Sequence, residues 1–203
     1  MSTPEPIATG TLAKTPLPHL LVYLEQKKLS GTLALWPDDV GDAPQGQDRI
    51  LLLKGRPVAG RLLQKTESLR DGMLALFART NAPYAFYDTN LLGDDRVSGR
   101  VDPLALIAES LRSTAREDVV AAVLQRYEGV ALQLLPGAEI GRYQLKPGER
   151  ALVQLLQNAP SDIATLIAGS GMPEAQARRV IYLLAISKAI APTQAQPAAP
   201  GWG

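Results

Sequence analysis

Ser30-Gly31-Thr32-Leu33-Ala34-Leu35 and Arg49-Ile50-Leu51-Leu52-Leu53-Lys54-Gly55-Arg56-Pro57-Val58-Ala59 decide the fold of this chain. Short apolar runs bounded by Gly, Pro and Asp read as strands, here over 32–36 and 49–53. The Lys54-Gly55 pair is a tight turn that sends the chain into a third strand over 58–63, so the three form an antiparallel meander. Between the first two lies 37–48, rich in Asp, Gly and Pro and long for a hairpin. It reads as a surface insertion, with contact to a partner as its functional alternative.

Working outward, Leu17, Leu20, Leu21 and Leu24 follow i, i+3, i+4, i+7 spacing, so a helix over 16–28 buries one face and closes at Ser30-Gly31. Lys27 and Lys28 suit its last turn. Residues 1–9, with two prolines, read as a flexible leader. On the other side, Thr66 is placed to cap a helix carrying Leu69, Met73, Leu76 and Phe77. Tyr84, Phe86 and Tyr87 mark a strand over 83–88, and 91–99 reads as a loop. Asp102-Pro103 is a helix start with proline in the first turn. Thr114-Ala115-Arg116-Glu117 has capping-box spacing and begins a second helix through Tyr127, one kinked helix being the alternative.

Short strands are expected over 130–135 and 142–145, then helices over 147–157, 161–168 and 173–188. Pro147 and Pro173 stand at first-turn positions, and Gly169 and Gly171 form a break. A turn before the third of three short helices resembles a winged-helix or helix-turn-helix unit. Residues 192–203, rich in Ala, Pro and Gln, read as a disordered tail. The expected class is α+β: an antiparallel meander with packed helices over 10–100, connecting helices over 101–128, and a small, mainly α, winged-helix-like subdomain over 129–191.

Composition narrows the functional classes. The chain has 203 residues, 46% of them hydrophobic, and a net charge of +1 from 21 basic and 20 acidic residues. No overall field would hold a polyanion, so nucleic acid or membrane binding needs a local patch. No apolar stretch approaches the roughly 18 to 20 residues of a membrane span, and the N-terminus lacks the pattern of a secretory signal. With no cysteine, disulfide and thiol chemistry are excluded, and the cytoplasm is the natural compartment.

Catalytic signatures are sparse. His19 is the single histidine and sits in Leu17-Pro18-His19-Leu20-Leu21 without a companion ligand at helical spacing, which points to packing or capping. Phosphate-loop and nucleophile-elbow spacings do not occur. The pairs Asp38-Asp39 and Asp94-Asp95 lie beside Gly or Pro, where Asp favours turns and stays solvated. No enzyme, cofactor or metal is implied. The last helix turns Ala177, Val180, Ile181 and Leu184 inward and leaves Glu174, Gln176, Arg178, Arg179, Tyr182 and Lys188 towards solvent. As a DNA reader it would rely on Arg178 and Arg179 alone, so protein packing is preferred.

Gly10-Thr11-Leu12, the 17–21 segment, Ser30-Gly31-Thr32-Leu33 and the Gly55 turn followed by Val58 and Ala59 together resemble the PATAN-type domain and its bacterial relatives of unknown function. The resemblance covers roughly residues 8–100. It implies a cytoplasmic adaptor of bacterial signal transduction, polarity or motility control, whose partner is another protein such as a signalling, polarity or chaperone component. Self-association fits the same reading, and nucleic acid ranks behind protein. Trp36, Tyr84 and Tyr87, with Asp38 and Asp39 of the acidic loop, are the candidate interaction residues, because aromatic side chains dominate binding hot spots. Arg178 and Arg179 are the candidate contacts of the alternative, a DNA-binding transcription regulator.

Overall fold

The computed structural model describes residues 4–38, 46–94 and 96–193, and the chain divides into two compact units, Met1–Thr114 and Ala115–Gly203. The class is α+β. Unit 1 contains β1 (Ala8–Thr11), α1 (Leu17–Gln26), β2 (Gly31–Leu35), β3 (Asp48–Leu53), β4 (Arg56–Arg61), α2 (Leu69–Leu76), β5 (Pro83–Tyr87), β6 (Val97–Ser98) and α3 (Pro103–Ser113). Its strands form one antiparallel sheet in the order β1-β5-β2-β3-β4-β6.

The β2-β3-β4 meander is present, joined at its second turn by two residues of positive φ, Lys54 (51°) and Gly55 (77°). Gly55 is needed there for space as well as for backbone angle. A Cβ on it would lie 2.2 Å from Glu25 Cα, because the hairpin tip docks on the end of α1. Gly55 N donates to Leu29 O, Lys54 N donates to Ser30 Oγ, and Arg56 pairs with Glu25 at 3.4 Å. Ser30 therefore serves the hairpin, whereas the expected Ser-Gly stop for α1 is replaced by Lys28 in the left-handed region, with Leu29 N closing back onto Leu24 O.

Leu33, Leu35, Ile50, Leu52 and Phe86 point to one side of the sheet and are at most 2% exposed. Each contributes on the order of 1.5–3 kcal/mol of burial. Leu69 of α2 lies over Gly60 on this side, and α3 packs on α1 and α2. Asp102 caps α3 as expected, accepting from Leu104 N at 2.9 Å. The cap of α2 is Ser68 instead of Thr66: Ser68 Oγ accepts from Asp71 N, while Thr66 Oγ1 donates to Ser68 O.

The opposite face is not open. The chain from β4 to β5 passes through α2 on the helical side, and the return from β5 towards β6 crosses the other side as a strap over 88–94. Thr32 Oγ1 donates to Thr89 O at 2.7 Å and accepts from Leu91 N at 2.9 Å, and Arg49 Nη1 donates to Leu91 O. This explains why every residue of β2 is buried, Thr32 included. The segment expected to be only a loop, 91–99, also supplies β6, which pairs with β4. Nor is the leader wholly loose: β1 begins at Ala8 and pairs with β5.

Unit 2 contains α4 (Glu117–Leu124) with a 3-10 turn at Gln125–Tyr127, β7 (Leu132–Leu134), a second 3-10 turn at Ile140–Tyr143, α5 (Pro147–Asn158), α6 (Ile163–Ser170), α7 (Glu174–Ile186) and β8 (Ile190–Pro192). α7 packs on α4, α5 and α6. The stretch read as connecting helices, 101–128, is divided, α3 belonging to unit 1 and α4 to unit 2. These are separate helices, because Thr114 ends α3 by donating from N and Oγ1 to Ser110 O. The expected capping box there does not form: Arg116 precedes α4 without a side-chain cap, and Glu117 pairs with Arg179.

The strand expected over 142–145 is a 3-10 turn, since Arg142 pairs with Glu139 and Tyr143 is buried with its hydroxyl 2.7 Å from Ser187 Oγ at the end of α7. β7 instead pairs with β8, so Pro192, read as the start of the tail, closes a ribbon. Residues 194–203 of that tail lie outside the described residues.

Tyr182, expected near solvent, is 1% exposed. Burial holds its phenol well above the usual tyrosine range, against a smaller opposing effect of the Arg116 charge. The folded state therefore keeps a proton that the unfolded chain loses above pH about 10, so this contribution to stability is complete below that pH and declines as pH rises beyond it. Tyr182→Phe is expected to flatten the alkaline loss of stability, measured by urea unfolding at pH 9 and pH 11. An unchanged loss would show that Tyr182 has no part in it.

Candidate functional site

The sequence candidates do not gather into one patch. Trp36 follows β2, where its N donates to Pro83 O, and is half-buried. Asp38 is exposed but its carboxylate is spent on the turn before β5, accepting from Thr80 N and Asn81 N at 3.2 Å each. Asp39, and likewise Asp95, lies outside the described residues. Tyr84 is half-buried and lies across Gly10 of the neighbouring strand, where a Cβ would stand 2.6 Å from its hydroxyl. Tyr87 sits opposite Thr32, on the face away from Tyr84 and at the far end of the β2-β5 pair from Trp36. His19 is half-buried on α1, and no cluster of three potential metal-binding side chains occurs among the described residues.

A groove of about 800 Å3 opens in unit 1 where β3, β4 and β6 meet the segment leading to α2. Trp36 stands at one side, and Arg49, Arg61, Lys65 and Arg96 bring four cationic side chains to it. No acidic residue lines it among the described residues.

Local chemistry explains how two of these cations meet. After the Lys54-Gly55 turn, Leu53 faces Arg56 and Leu52 faces Pro57, but the next pair is Leu51 with Ala59, so Val58 is an extra residue on β4. Pro57 cannot donate to the ladder, and proline in a strand is accommodated at such a bulge. The one-residue shift puts Arg49 directly opposite Arg61 instead of Gly60. Like charges facing across a strand pair destabilise unless compensated. Here the partners of Arg49 are neutral: Leu91 O and the amide oxygen of Gln47, which in its hydrogen-bonded orientation accepts at 2.6 and 2.9 Å. The side chains of Arg61, Lys65 and Arg96 are exposed and make no hydrogen bond or ion pair with another described side chain or backbone group.

Beneath the same corner, Asp48 is 1% exposed. Its carboxylate pairs with Arg79, which also donates to Trp36 O at 3.2 Å, and accepts from Leu63 N at 2.7 Å. One buried group thus fixes the end of β2, the start of β3, the exit from β4 and the turn after α2. The groove cations and this ion pair carried no signal in the sequence. They are scattered over residues 48–96 and meet only through the bulge and the sheet order.

In unit 2, both arginines on α7 are engaged. Arg178 pairs with Glu174 at 2.7 Å and Glu128 at 3.6 Å, and the Glu174 hydrogen bond holds its guanidinium pKa above the usual arginine value. Arg179 pairs with Glu117 of α4. Asp162, which caps α6, has its carboxyl held below the usual range by the Thr165 N–H. Among the described residues, no helix is long and apolar enough to cross a membrane. No protein-family model, curated protein or solved structure matches the chain.

Proposed function

We propose that this protein is a non-enzymatic protein-binding adaptor and that the groove of unit 1 is its docking site. The observation that carries the reading is a cationic groove lined in part by Trp36, on the corner of the sheet where Arg79 ties Asp48 to Trp36 O. A half-exposed Trp beside arginines is the residue combination enriched at binding hot spots. A local cationic groove on a chain of net charge +1 favours selective docking over general polyanion binding. A cytoplasmic role in bacterial signal transduction, polarity or motility control follows from the resemblance of residues 8–100 to PATAN-type domains. The alternative reading through Arg178 and Arg179 lacks comparable support, since both guanidinium groups already face glutamates.

Affinity co-purification of the tagged full chain from its native cells tests the proposal. A specific protein partner should be recovered, and Trp36→Ala should lower its recovery about tenfold, as loss of a hot-spot anchor does. Recovery of no specific protein, or equal recovery with Trp36→Ala, would count against it.

A further inference from the structure

The groove is lined by cations, and its lining points to an anionic occupant. We infer that it takes an acidic peptide segment of a partner protein, its Asp or Glu carboxylates bridging the facing pair Arg49 and Arg61 and reaching Lys65 and Arg96; this rests on the protein-binding reading above.

Two independent observations converge. One is the bulge-imposed pairing of Arg49 with Arg61, which leaves two like charges opposed with only neutral acceptors on Arg49. An anion between them converts that repulsion into two attractions. The Arg61 guanidinium offers its fork to a carboxylate, while Arg49, whose Nε, Nη1 and Nη2 already donate to Gln47 and Leu91, contributes its charge and its remaining N–H groups. The other is the groove itself, a built concavity lined by four cations with no acidic lining residue among the described ones. The same corner holds its own carboxylate, Asp48, out of the groove by pairing it with Arg79, so it does not neutralise the groove from below.

The limited extent of the charge selects the class of anion. Asp38, Glu67 and Asp94 are exposed on segments flanking the lining residues in sequence. With a net charge of +1 the chain offers no extended field to hold a long polyanion, so a short acidic segment is the anion that four local cations match. Trp36 offers an apolar contact to a side chain of the same peptide.

The test uses the full chain and a fluorescein-labelled decapeptide of glutamates interrupted by two leucines, followed by anisotropy. A lysine-for-glutamate decapeptide and a ten-nucleotide oligothymidylate serve as comparisons. Saturable binding of the glutamate peptide is expected, at least tenfold tighter than either comparison. It should weaken at least tenfold between 50 and 300 mM salt, as screening of an exposed ionic contact requires. The charge-reversed variant R61E/R96E should weaken it at least tenfold as well. Both positions are exposed, so that variant is expected to keep the wild-type circular dichroism and melting temperature, and R61Q/R96Q provides a milder second variant.

Equal binding by the charge-reversed variant, tighter binding of the oligonucleotide, or no saturable binding of the glutamate peptide would overturn the inference. The two readings fail separately. A co-purified partner that still binds R61E/R96E removes the acidic-peptide site and leaves the adaptor, whereas peptide binding without any recovered partner does the reverse.

Discussion

Arg79→Ala is expected to destabilise unit 1 by about 3–5 kcal/mol, the usual cost of stranding one member of a buried ion pair. Asp48 is 1% exposed and would keep only the Leu63 N–H as a partner among the described hydrogen bonds. Arg79 itself is one-fifth exposed, so the reverse change, Asp48→Ala, leaves a cation that can turn to water and should cost less. The order of the two effects is thus part of the prediction. Urea unfolding of both variants checks it: a loss under about 1 kcal/mol for Arg79→Ala would show that the carboxylate is hydrated and the pair carries little stability. A domain of this size is stable by about 5–15 kcal/mol, so a loss of the expected size would raise the unfolded fraction about a hundredfold or more. It would also loosen the corner on which Trp36 and the groove stand, because Arg79 donates to Trp36 O.

Gly31→Ala should be of similar size, about 3 kcal/mol or more, through sterics instead of charge. Gly31 has φ of 148°, and a Cβ there would lie 2.0 Å from the carbonyl oxygen of Tyr87. The atoms that such a Cβ would meet all belong to the backbone of Tyr87 and Asp88, at the end of the β2-β5 pairing, so no side chain can move aside to relieve the contact. The ladder between two central strands must open at that end, close to the strap that begins after Tyr87. Hydrogen exchange should show lost protection in β2 and β5 first. Unchanged protection with a melting temperature within a degree of wild type would mean that the strand end accommodates the methyl group.

The glycine in question illustrates how much of the fold was legible. Ser30-Gly31 was read as the stop of α1 because Ser and Gly follow a helical pattern there. The stop is Lys28 in a left-handed conformation, which a lysine rarely adopts and which therefore leaves little trace in sequence. Gly31 is required by a strand 56 residues further on, and no local pattern reports that. By contrast, the Lys54-Gly55 turn, the Asp102 cap and the apolar stripe of α1 appear where expected, since each is specified by residues within one or two turns of chain. The capping-box spacing at Thr114 had the right letters without the right context. Its threonine closes the helix before it, and its glutamate is claimed by Arg179, 62 residues away.

The candidate site was less legible than the fold. Aromatic side chains drew attention to Trp36, Tyr84 and Tyr87, yet only Trp36 reaches the groove; Tyr84 covers a glycine, and Tyr87 lies at the far end of the β2-β5 pair. The cations that define the groove sit singly in the chain, without the clustering that marks a basic patch.

By itself, then, the sequence determined the helices and strands whose signals are local: caps, turn residues and apolar periodicity act over a few residues and need no partner. The tertiary structure alone decided the strap over 88–94, the bulge that sets Arg49 against Arg61, the burial of Asp48 with Arg79 and the pairing of β7 with β8. Each depends on groups brought together across the sheet or between elements. The free energy of such a contact comes from burial and charge at the meeting point, which neither residue carries alone.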